Sequence, residues 1–220
     1  MSPASTERVA DAVYERVREE IFTGTLPPGT RLSVPALAEQ LRVSRSPVRE
    51  AVTRLVHERL AREEPRRGAV VARVGPPELA TLYEVREVLE GLVARLAVEN
   101  AGRRLVDRLA EVLHEHEQAV ETADVARHME ADMRFHTLMR QAAGNSEAIR
   151  VLDEIQTRVR LAMYTTTVTA GPRRALEDHQ AIFAAIRSAD PAEAERTARA
   201  HVIRLRAALL DQTDTSGDNI

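Results

Sequence analysis

Apolar residues in the first third of the chain recur at helical spacing and then at strand spacing. Valine or isoleucine occupies every fourth position from Val9 to Ile21, which predicts an amphipathic helix. Two shorter apolar ladders follow. Pro65-Arg66-Arg67-Gly68 then separates two short segments predicted to be strands, and the glycine can adopt a positive φ at the hairpin tip. The predicted elements are helices at about 5–22, 33–41 and 44–58 and strands at about 60–64 and 69–74.

The remainder of the chain is predicted to be entirely helical. The clearest helix start combines Asp190 as N-cap, Pro191 at the first helical position and Glu193 in a capping box. We therefore expect a mainly α fold with an N-terminal winged helix-turn-helix, a small β-hairpin wing and a C-terminal six-helix antiparallel bundle. The predicted helices are about 78–100, 103–122, 124–143, 146–169, 173–188 and 191–211. The expected domains are 1–74 and 78–212, with a linker at 75–77 and a disordered tail at 213–220.

Charge is distributed unevenly between these two parts. All 31 basic residues are arginine, and residues 1–74 contain 13 of them against 10 acidic residues, whereas residues 75–220 contain 18 against 24. A basic module joined to an acidic one indicates nucleic-acid binding confined to the first part. The absence of cysteine excludes disulfides and thiolate metal sites. No apolar run approaches the roughly 18 residues of a membrane span, so we expect a cytoplasmic protein without membrane contact.

The first turn of the third predicted helix is polar, while its later positions are apolar. Ser44 and Ser46, with the free amides of that turn, suit phosphate oxygens. Arg45 and Arg49 lie four residues apart on one helical face and could contact guanine edges or phosphates. The alternative is that these two arginines only pair with nearby acids such as Glu50.

The hairpin tip is a second basic feature. Arg66 and Arg67, followed by Gly68, suit a minor groove or a phosphate backbone. These residues extend the predicted DNA-binding surface to the wing.

Four potential metal ligands are brought together by their spacing in the helical part. Asp132 and His136 are one helical turn apart, while His179 lies 11 residues before Asp190 and His201 lies 11 residues after it. Three imidazoles and a carboxylate suit a divalent transition metal ion, with zinc preferred and nickel, cobalt, iron or manganese as alternatives. Isolated helical histidines are more often surface or core residues, but burying four polar residues together is costly without a ligand.

The remaining histidines of the helical part are given no primary role. His114 and His116 are two residues apart and point to different faces, so both are expected to be solvated. His128, one turn before Asp132, is expected either beside the metal site or exposed.

Three motifs carry a resemblance to a known family. They are Leu-Pro-Pro-Gly-Thr-Arg-Leu at 26–32, Leu-Ala-Glu-Gln-Leu at 37–41 and Val-Ser-Arg-Ser-Pro-Val-Arg-Glu-Ala at 43–51. They resemble the winged helix of GntR-family transcriptional regulators, and the helical remainder resembles the FadR C-terminal (FCD) domain, with six helices as in the VanR-like branch. The resemblance covers roughly residues 7–211.

The resemblance implies roles for five residues of the helical part. An Asp-x3-His pair followed by two histidines on the closing helices implies metal binding by Asp132, His136, His179 and His201. Arg86 matches a cavity-facing arginine of the family, which implies contact with an acidic group of an effector. The alternative for Arg86 is a surface salt bridge with Glu90, four residues along the helix.

Together these features predict a transcription regulator, more often a repressor than an activator, rather than an enzyme. It is expected to bind double-stranded operator DNA as a homodimer and to respond to a small organic or sugar acid. One alternative is a metal sensor in which the ion itself is the signal. The other is a mononuclear metallohydrolase, but the sequence offers no general base for it, and the basic module would have no use.

Overall fold

The computed structural model describes residues 3–100, 102–163 and 171–216. Its helices are α1 Pro3–Phe22, α2 Val34–Leu41, α3 Arg45–His57, α4 Pro76–Asn100, α5 Gly102–Glu121, α6 Val125–Ala143, α7 Ser146–Met163, α8 Pro172–Arg187 and α9 Pro191–Ser216. The strands are β1 Ala61–Glu64 and β2 Gly68–Val71. The predicted fold class, a winged helix-turn-helix followed by a helical domain, is confirmed.

The chain forms two compact units. The first contains the described residues up to Gly75 together with a segment that starts at Gln156. The second contains the intervening helices and the described residues from Gly171 onward. Helix α7 is therefore divided between the two units at Ile155. None of the helices in the described ranges is both long and apolar enough to cross a membrane.

In the first unit, α1 packs on α3 through the valine ladder seen in the sequence. Val17 and Ile21 of α1 and Val48 and Leu55 of α3 are almost completely buried. The hairpin is antiparallel, with Ala61 opposite Val71 and Glu64 opposite Gly68. This arrangement leaves the polar sides of α3 and of the hairpin tip in solvent.

The hairpin tip needs two residues in the left-handed region. Gly68 has φ +73°, as the sequence predicts for the turn, and Arg66 has φ +66°. Non-glycine residues adopt this conformation less readily than glycine. At Arg66 the conformation is imposed by the pairing of the two strands that flank the turn.

The second unit is built around an aliphatic core with one central aromatic ring. Val93 of α4, Leu109 of α5, Phe135 of α6 and Leu152 of α7 show no exposed surface. Helix α4 packs mainly against α9 and also against α6, while α8 packs against α5 and α9. The inward faces of α4, α5, α6, α8 and α9 therefore enclose one interior.

The pairing of α4 with α9 is especially close. A Cβ atom added to Gly91 would lie 2.6 Å from the Cγ atom of Arg199, so the glycine permits this approach. Arg199 donates to Glu87 across the same interface at 2.8 Å, and Arg95 lies 3.4 Å from Glu195.

Several boundaries differ from the sequence predictions, two of them with a clear physical reason. Helix α4 begins at Pro76 rather than at 78, because proline is accepted in the first turn, where no intrahelical donor is needed. Helix α9 continues to Ser216, so the prediction of disorder from Thr213 is wrong for residues 213–216; no helix-breaking residue occurs before Gly217. The end of the predicted 146–169 helix and residues 217–220 lie outside the described residues.

Candidate DNA-binding surface and metal-binding pocket

The first turn of α3 presents its polar side chains to solvent. Ser44 is the N-cap residue with extended backbone, but its hydroxyl makes no capping hydrogen bond. Ser44, Arg45, Ser46 and Arg49 are exposed, whereas the next apolar position, Val48, is fully buried. The hydroxyls and guanidinium groups of this turn are therefore available to a ligand outside the protein.

The arginines of this surface differ in how they are paired. Within the described part of the chain, Arg45, Arg49 and Arg66 have no acidic group within 4 Å, so pairing with Glu50 is not observed. Arg67 instead donates to Glu64 at 2.7 Å and to the Gly29 carbonyl at 3.3 Å. Three unpaired guanidinium groups are an electrostatic feature suited to a polyanion.

In the second unit, three predicted metal ligands lie together in the interior. One ring nitrogen from each of His136, His179 and His201 lies within 4.8 Å of the others, and all three side chains are buried. The carboxylate of Asp132 lies 3.6 Å from His179 Nε2, but it is outside this close triad, and its side chain is 30% exposed. Asp132 therefore lies at the more open side of the cluster.

Several nitrogens of the triad lack hydrogen bonds. Among the described residues, His136 Nε2, both ring nitrogens of His179 and His201 Nε2 have no partner. Burial, with the neighbouring histidines, lowers the pKa of His179 well below its ordinary value. Burial likewise lowers the pKa of His201, although Asp178 opposes this shift. Buried imidazoles with unused ring nitrogens fit a metal ion, because such atoms are otherwise costly to bury.

Carboxylates beside two of the imidazoles orient the rings. His201 Nδ1 lies 3.0 Å from Asp178 Oδ2, and Arg204 donates to the same carboxylate at 3.1 Å. His136 Nδ1 lies 3.5 Å from Glu90 Oε2. In both rings the Nδ1 atom faces a carboxylate, so Nε2 remains for a metal ion, as in many metal sites.

Arg86 belongs to a buried charge network. It is only 4% exposed, and its Nε atom lies 3.5 Å from Glu90 Oε1. Arg140 donates to the same Glu90 oxygen at 2.8 Å and to Asp153 at 3.1 Å. The Arg86–Glu90 salt bridge that was the alternative for Arg86 is therefore present, but it lies in the interior and not at the surface.

The charges of this network stabilise one another. Burial disfavours the ionised form of Glu90, but His136, Arg140 and Arg86 lower its pKa well below the ordinary value. Burial also opposes the charge of Arg86, but Tyr83, Glu90 and Asp132 raise its pKa. The interior therefore holds a buried cation, Arg86, that is linked to His136 through Glu90.

The prediction that His116 is solvated is wrong. His116 shows no exposed surface, its Nε2 atom lies 2.7 Å from His128 Nδ1, and its ring lies 5.4 Å from that of His179. His128 is half-buried beside the pocket, whereas His114 is exposed as expected.

A spacing signal could have identified two of the buried residues that the sequence predictions missed, Glu90 and His116. Glu90, Arg140, Asp178 and His116 were not predicted to be buried in the pocket. On α4 the buried positions 79, 83, 86, 90, 93 and 97 alternate steps of four and three, so Arg86 and Glu90 occupy the core stripe. On α5 the buried positions 105, 109, 112, 116 and 119 follow the same steps, which include His116.

Family models match both parts of the chain. The model for bacterial regulatory proteins of the gntR family matches residues 9–71, and the FCD domain model matches residues 81–204. The second match alone covers more than half of the chain.

Named relatives agree with these matches. The chain is 31% identical to the transcriptional regulator McbR of Escherichia coli K12 over 207 residues, covering 91% of each protein. It is 32% identical to the gluconate operon transcriptional repressor of Bacillus subtilis over 203 residues, covering 87% of this chain and 80% of the relative. The repressor RspR of E. coli K12 is 28% identical over 198 residues, covering 90% and 87%.

A solved structure is similar over nearly the whole chain. The E. coli McbR structure superposes with a TM-score of 0.77 and 25% identity, covering 93% of this chain and 98% of that one. The relatives are DNA-binding transcription regulators and not enzymes. The VanR-like branch remains a prediction. From the two family matches and the similarity to McbR, the chain belongs to the GntR family of bacterial transcription regulators and carries an FCD domain.

Proposed function

We propose that this regulator is a repressor that binds operator DNA as a homodimer and responds to a small carboxylate effector at a metal-containing pocket in its second unit. The buried triad of His136, His179 and His201, with unused ring nitrogens beside the cation of Arg86, carries the proposal. The repressor role is supported by the names of RspR and of the gluconate operon repressor.

His136, His179, His201 and Asp132 would hold a divalent transition ion. When bound, the ion would supply a Lewis acid that can accept a carboxylate oxygen. Asp178 would orient the His201 ring and Glu90 the His136 ring, both with and without a bound ion.

Arg86 is proposed to contact a second acidic group of the effector. Its guanidinium group is buried but only loosely paired, at 3.5 Å from Glu90, and its Nε atom makes no hydrogen bond within the described residues. A ligand carboxylate could therefore form the hydrogen bonds that Glu90 leaves open, because a guanidinium group carries five donors. This geometry favours small acids over neutral metabolites.

At the DNA, Arg45 and Arg49 are proposed to contact base edges or phosphates, with Ser44 and Ser46 on phosphate oxygens. Arg66, Arg67 and Gly68 would contact the backbone or the minor groove from the wing. A homodimer would present two such surfaces to a pseudo-palindromic site.

Direct binding measurements test the pocket. Metal-free protein should bind Zn²⁺ in a calorimetric titration, and the loaded protein should then bind acid probes such as D-gluconate or citrate. Gluconate is included because one relative is named as the repressor of a gluconate operon. Arg86→Gln should lower the affinity for the acid probe at least tenfold and leave the affinity for Zn²⁺ nearly unchanged. Arg196→Ala, an exposed arginine paired with Glu193, is the matched control.

Operator binding completes the test. A DNA duplex selected from a random pool should bind the zinc-loaded protein, and an effective acid should lower the affinity for this duplex. The duplex must then lower the affinity for the acid by the same factor. If chelation alone changes operator affinity and no acid does, the ion is the signal instead. Failure of Zn²⁺ to bind would refute the metal-containing pocket.

A further inference from the structure

The turn between α2 and α3 contains an arginine in a backbone conformation that favours glycine. Arg42 has φ +54° and ψ +42°, which is the left-handed region. Its amide donates to the Glu39 carbonyl at 3.2 Å, and the Val43 amide donates to the Ala38 carbonyl at 3.0 Å. These two hydrogen bonds form a Schellman motif, which ends a helix with a left-handed residue at this position. The end of α2 therefore fixes the backbone of Arg42, whatever side chain that residue carries.

The arginine side chain gives this turn no conformational advantage. A residue with a Cβ atom is less stable than glycine in the left-handed region, because Cβ lies too close to the neighbouring backbone. The chain uses glycine for this conformation at three other turns of the first unit, Gly24, Gly29 and Gly68. Arg66 at the hairpin tip is left-handed as well, and it belongs to the proposed DNA contacts. Backbone strain of this kind is often retained at functional sites, so the strained Arg42 points to a role for its guanidinium group.

The guanidinium group of Arg42 is available to a partner outside the protein. Arg42 is exposed, and within the described ranges its side chain makes no hydrogen bond or ion pair. Glu39, only three residues earlier, is also exposed but does not pair with it. By contrast, the exposed Arg54 of the same unit lies 3.2 Å from Asp11. Arg42 therefore resembles Arg45 and Arg49, the unpaired arginines of the α3 surface.

We propose that Arg42 contacts a DNA phosphate at the edge of the major groove that α3 enters. The inference rests on the proposed DNA contacts of Arg45 and Arg49, which place the first turn of α3 in that groove. The Cα atoms of Arg42 and Arg45 are three residues apart in the chain and so lie at most ~11 Å apart. The major groove is about 12 Å wide, so the side chain of Arg42 can reach a phosphate strand that borders it.

The position of Arg42 favours a phosphate over a base edge. Arg45 and Arg49 extend from α3, whereas Arg42 precedes the N-cap residue Ser44 by two residues and lies outside the helix. In helix-turn-helix proteins the recognition helix reads the bases, and residues outside it contact the duplex backbone. Phosphate contacts fix the register of a protein on DNA but carry no sequence information. Arg42 would therefore raise the affinity for any duplex and contribute little to the choice of sequence.

Arg42→Gly separates this role from a structural one. The substitution removes the cation and suits the left-handed backbone, so the thermal unfolding temperature should equal or exceed that of the wild type. The affinity of the full-length protein for a duplex selected from a random pool should nevertheless fall about threefold at low salt. The slope of log affinity against log salt should decrease by about 0.9, and a scrambled duplex of the same composition should lose affinity by the same factor. Fluorescence anisotropy at several salt concentrations measures these quantities.

Two control variants separate the charge from the backbone. Arg42→Lys keeps a cation at this position and should retain the salt slope of the wild type. Ala189→Gly relaxes a left-handed residue of the second unit, with φ +52°, and should leave DNA affinity unchanged.

Three outcomes would contradict the inference in different ways. Wild-type affinity and salt slope in Arg42→Gly would overturn it, and a loss confined to the selected duplex would overturn the assignment to a phosphate. In both cases the contacts of α3 would stand if the double substitution Arg45→Ala and Arg49→Ala abolishes binding. If the wild-type protein selects no duplex from the pool, the proposed operator binding fails and this inference fails with it.

Discussion

The arginines on the α3 surface and those inside the second unit face opposite electrostatic conditions. Arg45 and Arg49 are exposed and have no acidic group within 4 Å among the described residues, so water is their main partner. Arg86 and Arg140 are buried and share one carboxylate, Glu90. Arg45 and Arg49 can bind a new partner at little cost in free energy, because they give up only water. Arg86 and Arg140 can give up Glu90 only if an incoming anion takes its place.

This contrast would allow one chain to combine the two kinds of recognition proposed above, of operator DNA and of a small effector. Exposed, unpaired cations suit a polyanion, whose many phosphates bind by release of counterions and tolerate small shifts. A small ligand at the proposed effector site would need the correct charge and shape, because a poor fit leaves buried groups without partners. The following predictions test this difference, beginning with the largest effect.

The largest expected effect is on DNA affinity. A bidentate arginine contact to a base contributes about 1–3 kcal/mol, so the double substitution Arg45→Ala and Arg49→Ala should weaken operator binding roughly 10²–10⁴-fold. Fluorescence anisotropy at fixed salt would measure this change. Arg196→Ala in the second unit removes the same charge from an exposed ion pair and should leave affinity within about twofold. Equal affinity for the double variant and the control would remove these two arginines from the DNA surface.

The next effect concerns the stability of the buried network. Glu90→Gln leaves Arg86 and Arg140 without their shared anion, and loss of one partner in a buried ion pair costs about 3–5 kcal/mol. Glu147→Gln, which breaks the exposed pair with Arg150, should cost less than about 1 kcal/mol. Urea unfolding of metal-free protein would compare the two. A similar small loss in both variants would contradict the strong coupling inferred inside the second unit.

A third effect tests a buried hydroxyl in the first unit. Tyr14 donates to Glu58 and lies under Arg54, and burial, followed by that hydrogen bond, raises its pKa to about 12. The folded protein thus keeps the phenol proton where the unfolded chain loses it, near pH 10. This contribution to stability is complete below pH 10 and is lost as pH rises towards 12.

Tyr14→Phe should therefore lower the free energy of unfolding at pH 8 by about 1–2 kcal/mol. Its stability should also fall less steeply between pH 10 and 11 than that of the wild type. Denaturant unfolding at several pH values would give both quantities. An unchanged slope above pH 10 would show that Tyr14 ionises alike in the folded and unfolded states.

The smallest effect separates the two wing arginines. Arg66 has no ion pair among the described residues, whereas Arg67 must give up contacts with Glu64 and the Gly29 carbonyl to reach DNA. Loss of one phosphate contact should reduce the slope of log affinity against log salt by about 0.9. We expect this reduction for Arg66→Ala and a smaller one for Arg67→Ala. The reverse order would show that pairing inside the wing does not limit DNA contact.

Residues that mark the ends of helices explain why so much of the fold was predictable. Proline, glycine and capping residues mark the ends of most helices, and Asp190 indeed accepts a hydrogen bond from the Glu193 amide at 3.0 Å. The approach of His179 to His201, with ring centres 5.1 Å apart, follows from equal distances to one antiparallel turn. Such features depend on residues close in sequence.

The burial of charged residues was much harder to predict. Glu90 joins Arg140, which is 50 residues away, and His116 is covered by helices distant in sequence. Arg86 and Glu90 are also correctly spaced for a solvent-exposed pair, so their types indicated the surface while their register indicated the core. Only the packing of α4 against α6 and α9 decides between these interpretations.

The close pairing of α4 with α9 has a consequence for biosynthesis. The first helix of the second unit packs mainly against the last one, so a nascent chain still lacking α9 would leave the apolar side of α4 without its partner on the ribosome. His201 also comes from α9, so the proposed metal site would be complete only after that helix has been translated. We therefore expect the second unit to be completed only after α9 has emerged from the ribosome, and the first unit only after the segment that starts at Gln156 has emerged.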